Sequence, residues 1–120
     1  MAWNPSTAAN HAEQRAHIES KGRCAQYVRE AIVAGGINLA RTHYAKDYGR
    51  NLENAGFARA SGTPERGDVI VIQPAPGHPA GHMAIYNGNI WISDFRQHNG
   101  FYPGPAYRTA QPSWQMYRHN

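Results

Sequence analysis

The segment that most constrains the fold is Asp68-Val69-Ile70-Val71-Ile72, where consecutive β-branched residues run with no polar interruption. A strand wetted on one side alternates polar and apolar residues, so this one is expected to be covered on both faces and to lie centrally in a sheet. Ser61-Gly62-Thr63-Pro64-Glu65-Arg66-Gly67 is turn chemistry leading into it. The Pro/Gly-rich stretch Gln73 to Gly81 is a loop leading out, to a second strand at His82-Met83-Ala84-Ile85-Tyr86. Asn87-Gly88 is a strong hairpin signal, so Asn89 to Asp94 is expected to return antiparallel. The aromatic, proline-rich tail offers one last strand, Ser113 to Arg118.

Upstream the texture is helical. Ser6 or Thr7 is expected to cap a helix running to about Ser20, built from good helix formers and stopped by Lys21-Gly22. Its apolar surface is thin, drawn from Ala9, Ala12, Ala16 or Ile18. His11 and His17 are spaced so that they do not share one face as a metal pair would need. A second helix begins at Cys24 or just before it and ends at Gly35-Gly36, where a left-handed C-cap is sterically easy. A shorter third helix spans His43 to Gly56, with Tyr48, Leu52 and Ala55 on one stripe. Helices first and antiparallel strands after is an α+β order. At 120 residues, 1–120 is expected to be a single domain.

Composition excludes several classes. With 41% hydrophobic and 17% charged residues the chain is globular rather than disordered. No apolar run is long enough to span a bilayer. The start, Met1-Ala2-Trp3-Asn4-Pro5-Ser6, has no basic region followed by an apolar stretch, so neither membrane insertion nor export by a signal peptide is expected, and synthesis is expected in the cytoplasm. The net charge of +4 attracts polyanions. Its arginines are scattered, however, and match no nucleic-acid motif, so the charge is a weak steering field and nucleic acid is not an expected partner. A single cysteine allows no intramolecular disulfide and no multi-thiolate zinc site; no metal and no cofactor are expected.

That cysteine carries the chemistry. Cys24, Tyr27, Val28, Ala31 and Ile32 share one helical stripe, so the thiol faces inward. It follows Gly22 at a helix N-terminus, where unpaired N–H groups and the macrodipole favour negative charge and are expected to lower a thiol pKa. A thiolate attack on an amide needs a base, and the base needs a group that fixes its tautomer. Histidine is the natural base near neutral pH. Of the seven histidines, His78 and His82 fall beside a strand edge. Pro79 and Gly81 exclude a helix that would make the two a metal pair. His78 lies between prolines and can line a cleft, whereas His82 heads a strand. The thiol alone leaves an inert reading open, since free cysteine is often a buried core residue.

Taken in order, Gly22-x-Cys24-x-x-Tyr27-Val28, Pro64-x-x-Gly67-Asp68-Val69-Ile70-Val71 and Gly81-His82-Met83-Ala84-Ile85-Tyr86 resemble the CHAP and NlpC-type branch of papain-like cysteine peptidases. Those enzymes cut amide bonds in bacterial peptidoglycan. The resemblance runs from Lys21 to Arg96. It implies a papain-like α+β fold, the cysteine helix packed on an antiparallel meander, with Cys24 as nucleophile and His82 as base. The family's orienting carboxylate lies on the strand after the histidine strand, which implies Asp94. Here the sequence reads Ser93-Asp94-Phe95-Arg96 in place of an acidic residue followed by asparagine. Asp68 is the competitor, but it matches the family's turn into the first strand and is read as structural. The Cys24 N–H would be one oxyanion donor, with Gln26 and Tyr27 candidates in principle for a second. Trp91, Phe101, Tyr102 and Trp114 either form a sugar or peptide groove or pack.

The function implied is hydrolysis of peptidoglycan, by an antibacterial effector delivered to a target cell's periplasm or cell wall or by a phage lysis enzyme. A toxin of this kind would have a cognate immunity protein as partner. The competing readings are a cysteine deamidase or peptidase toxin acting on a protein, and a non-catalytic basic binding module.

Overall fold

The computed structural model describes residues 3–120; Met1 and Ala2, which open the segment read above as lacking an export signal, lie outside them. In chain order the elements are α1 (Pro5–Arg15), α2 (Cys24–Ala34), a 3-10 turn (Ala45–Asp47), α3 (Tyr48–Asn54), β1 (Ala58–Ala60), β2 (Val69–Ile72), β3 (His82–Tyr86), β4 (Trp91–Ile92), β5 (Arg96–Gln97), α4 (Pro105–Ala110) and β6 (Trp114–Arg118). The architecture is α+β. The strands form one antiparallel sheet in the order β1-β6-β2-β3-β4-β5.

The β-branched run is central, as its lack of alternation requires: β2 lies between β6 and β3, and all of its residues are buried. Successive side chains point to opposite faces. Val69 and Val71 join Met83, Ile85, Ile92 and Tyr117 in a core shared with α1, α2 and α3. Ile70 and Ile72 join Ala84, Trp91 and Met116 on the other face, which Tyr107 of α4 covers. Each fully buried Val or Ile contributes about 1.5–3 kcal/mol, so both faces stabilise the sheet. Among the described residues no helix is long and apolar enough to cross a membrane.

α2 forms as the stripe predicts. Val28, Ala31 and Ile32 are buried, and the helix packs on β3. It ends at Gly35, and Gly36 takes a left-handed φ of 103°. α1 differs from expectation at both ends. Its cap is Asn4, whose side chain accepts from the Thr7 N–H at 2.9 Å, and Pro5 stands in the first turn, where its missing N–H costs nothing. It stops at Arg15 because the chain then runs beside the sheet edge: the His17 N–H donates to the Asp94 carbonyl at 2.9 Å and the Arg96 N–H to the His17 carbonyl at 3.2 Å. The Arg96 guanidinium donates to the Glu13 and Ala16 carbonyls and so closes the C-terminal end of α1. Of the residues offered for its apolar side, Ala9 and Ala12 are buried, joined by Ala8, whereas Ile18 is 93% exposed.

Three elements were not foreseen: β1, β5 and α4. β1 is short and joins the sheet only through β6. α4 begins at Gly104-Pro105, with proline again in the first turn. The hairpin after β3 exists, but its loop is longer than a two-residue turn: Asn87 Oδ1 accepts from the Asn89 and Ile90 N–H groups, and the ladder resumes at Tyr86↔Trp91 and Ile85↔Ile92. The returning strand is also shorter than expected. The Ser93 N–H donates to the Phe95 carbonyl at 3.0 Å, which turns the chain back into β5.

Candidate active site

One cleft of about 390 Å³ opens at the end of the sheet where α2 and β3 begin. Its walls are Ser20, Gly22 and Cys24, the loop from Gly77 to His82, Phe95, and the segment from Pro103 to Tyr107. The two chemistry-bearing residues chosen from sequence, Cys24 and His82, therefore meet in it. Each is placed by its element. Cys24 is the first residue of α2, and the Met83 backbone N–H at the start of β3 is near enough to favour its thiolate form. His82 is the first residue of β3 and is buried. The preceding Gly81 takes a left-handed φ of 73°, and a Cβ there would collide with the Ile72 carbonyl oxygen. Only glycine lets the loop enter the strand this tightly.

The partner of His82 is Gln97, not Asp94: His82 Nε2 lies 2.7 Å from Gln97 Oε1. The Gln97 amide nitrogen donates to the Gly100 carbonyl at 3.2 Å and the Phe101 carbonyl at 2.9 Å. Both amide hydrogens are thus engaged, Oε1 is an acceptor, and His82 Nε2 must carry its ring proton. Nδ1 is then the bare nitrogen able to take a proton from a thiol. Gln97 faces Trp91 in the β4–β5 ladder, and Trp91 faces Tyr86, so Gln97 lies on the sheet face that carries His82 and Ala84.

Register explains why Asp94 is elsewhere. With Ile85 opposite Ile92, position 94 falls opposite Met83, on the α2 face of the sheet and not on that of His82. Asp94 is fully buried there, and its Oδ2 accepts from the Lys21 N–H at 2.7 Å and the Arg23 N–H at 2.9 Å. The carboxylate fixes the segment that leads into Cys24. Asp68, the competitor, is structural: Arg118 grips both of its oxygens at 2.8 and 2.7 Å, and the Glu65 N–H adds a third bond.

The electrostatics correct a second expectation. Burial pushes the Cys24 thiol up to about 11; the hydrogen bond from Met83 and those from the helix-start N–H groups oppose this, and the charge of Asp94 reinforces it. Desolvation outweighs the helix terminus. Burial likewise pulls His82 down to about 4, against the upward pull of Gln97 and Asp94 and with the neighbouring His78 assisting. At neutral pH the resting pair is thiol and imidazole, so proton transfer accompanies attack.

Tyr107 completes the site and was not anticipated. Its ring packs against both histidines, with centroids 5.1 Å from His78 and 5.9 Å from His82. The loop bearing His78 is tied by reciprocal bonds between Ala75 and His78. Neither in-principle oxyanion candidate reaches the cleft: the Tyr27 hydroxyl pairs with His17 Nε2 at 2.9 Å, and the Gln26 amide donates to Glu30 at 3.2 Å. Of the aromatics, Trp91 is buried against Tyr86, so it packs. Phe101 touches both Tyr102 and Trp114, and Trp114 remains 44% exposed.

An inward thiol at a helix start and a strand-end histidine on an antiparallel sheet define a papain-like cysteine hydrolase site. The chain belongs to the CHAP domain family, whose match spans residues 15–104. It is similar along nearly its whole length to Tae3 of Ralstonia pickettii, seen in the crystal structure of the type VI native effector-immunity complex Tae3-Tai3. The TM-score is 0.97 at 60% identity, covering 98% of this chain and 100% of that one. The selenomethionine form of that complex matches at a TM-score of 0.92 and 62% identity, over 93% of this chain and 99% of that chain. Ly7917, at 17% identity and a TM-score of 0.58 over 97% of this chain and 62% of its own, shares the fold alone. No curated protein matches the sequence.

Proposed function

We propose that the protein is a peptidoglycan amide hydrolase that acts as an antibacterial effector of the type VI kind, delivered to the periplasm or cell wall of a target cell and neutralised by a cognate immunity protein. The observation that carries this reading is the cleft that joins Cys24 to a His82 whose tautomer Gln97 sets. The CHAP match and the 60% identity to the Tae3 effector support it.

In the reaction, His82 Nδ1 takes the thiol proton as the sulfur attacks the amide carbonyl. Gln97 holds the Nε2–H and so keeps Nδ1 free for that step. The tetrahedral oxyanion forms beside the N-terminal N–H groups of α2, with the Cys24 N–H as one donor. The imidazolium then protonates the leaving amine, and water, deprotonated by His82, releases the acyl-enzyme. The orienting role belongs to Gln97, and Asp94 acts through the backbone that presents the nucleophile.

The test is digestion of purified sacculi followed by mass spectrometry of the soluble fragments, which reads substrate and bond together. Wild-type protein is expected to release muropeptides. Cys24→Ala is expected to release none while keeping its circular dichroism spectrum, because a small apolar side chain replaces a half-buried thiol. Equal release by the two proteins would end the hydrolase reading.

A further inference from the structure

A second concavity, of about 560 Å³, lies on the other side of the first turn of α2. Ala25 and Gln26, the two residues that follow the nucleophile, form part of its wall. A substrate whose scissile carbonyl lies over Cys24 therefore has this hollow beyond the same helix start. The two hollows share the helix start as their divide.

Its lining is basic. Arg29, Arg41 and His43 face it, the remaining walls are Thr42 and Tyr48, and no carboxylate is among them. Arg29 is held in place, since its Nε donates to the Leu39 carbonyl at 2.8 Å. That bond fixes the plane of the guanidinium, and its terminal nitrogens make no hydrogen bond among the described residues. Neither Arg29 nor Arg41 enters an ion pair among the described residues. The acidic group adjacent in sequence, Glu30, is turned to Arg15 at 3.8 Å and to the Gln26 amide instead. Two guanidiniums gathered in a hollow with no counter-charge repel one another, and a bound carboxylate relieves that repulsion while accepting paired N–H donors.

We propose that this pocket is a carboxylate subsite: Arg29 and Arg41 bind a free carboxylate of the peptide whose amide lies over Cys24. The subsite selects acidic peptides and sets the register of the chain in the cleft. This rests on the hydrolase reading above for the identity of the ligand as a stem peptide, but the pocket's preference for a carboxylate is measurable without turnover.

The experiment is calorimetric titration of the Cys24→Ala protein with a synthetic stem tetrapeptide carrying its free carboxylates, and with the same peptide fully amidated. The acidic peptide is expected to bind roughly tenfold more tightly than the amidated one, the worth of one charge-assisted contact. Arg41→Gln in the same background is expected to erase that difference. Arg41 is exposed and makes no side-chain hydrogen bond or ion pair among the described residues, so its replacement leaves the fold intact. Arg29→Lys keeps the charge but loses the planar fork, and is expected to weaken acidic-peptide binding by a smaller factor.

Equal affinity for the two peptides, or an acidic-peptide affinity unchanged by Arg41→Gln, overturns the subsite. So does a result in which Arg41→Gln alters binding of the immunity protein alone. Sacculus digestion by wild-type protein is scored in parallel. Digestion with no charge preference sinks the subsite and spares the hydrolase. Arg41-dependent binding of the acidic peptide, with sacculi left intact, supports the subsite and sinks the hydrolase.

Discussion

Cys24 and His82 occupy one cleft, but burial leaves both neutral, which makes their proton transfer the step to probe. Alkylation of Cys24 by iodoacetamide is expected to be slow at pH 7 and to climb with pH toward the thiol's value of about 11. A rate already at its plateau below pH 7 would show instead a resting thiolate–imidazolium pair. Gln97→Ala is expected to lower the rate of sacculus digestion by about 10- to 100-fold, or about 1.4–3 kcal/mol of transition-state stabilisation, because His82 loses its tautomer partner. Asp94→Asn is expected to do something different. The charge of Asp94 raises the Cys24 thiol, so its removal shifts the alkylation profile to lower pH. A digestion rate that falls with Asp94→Asn and not with Gln97→Ala would return the orienting role to Asp94.

Among the elements, the strands are tied at their ends by a buried charge. Asp68, 1% exposed, precedes β2, and Arg118 ends β6, so their forked ion pair pins the two strands where the ladder stops. Removing one partner of such a pair strands the other, at a cost of about 3–5 kcal/mol for a fully buried case. Arg118 is partly exposed, with 29% of its side chain accessible, so water recovers some of that loss. Asp68→Ala is expected to destabilise the protein by about 2–3 kcal/mol in urea unfolding while the folded fraction digests sacculi at the wild-type rate. Loss of activity in protein shown to be folded would move Asp68 into the reaction.

For the molecule as a whole, His82 couples the site to stability. It ionises at about 4 in the folded protein against 6.5 for the ordinary side chain, so between those values the unfolded chain binds more protons than the folded one. Its contribution is fully present above pH 6.5 and is lost as pH falls toward 4, by up to about 3 kcal/mol. Urea midpoints from pH 7 to pH 4 are expected to fall with pH in the wild type and to fall less in His82→Gln; parallel curves would show that His82 is not the coupled group. Local patterns were enough to mark β2, α2 with its glycine stop, and an inward-facing cysteine at a helix start, because each follows from side-chain periodicity or backbone sterics within a few residues; the choice of His82 as its partner rested on the resemblance to the CHAP branch as well as on its place at the head of a strand. Gln97 and Tyr107 were beyond such patterns. Gln97 reaches His82 only because the Ser93-to-Phe95 turn ends β4 early and folds β5 back alongside it. Tyr107 reaches the histidines only because α4 covers that face of the sheet. The same register sends Asp94 to the opposite face, and the same packing removes the water that would have solvated a thiolate, so desolvation outweighs the helix-start N–H groups. Strand register and burial are sums over distant contacts, so the partner of His82 and the protonation of the pair were decided in the tertiary structure, while the candidate thiol and histidine were already marked in the sequence.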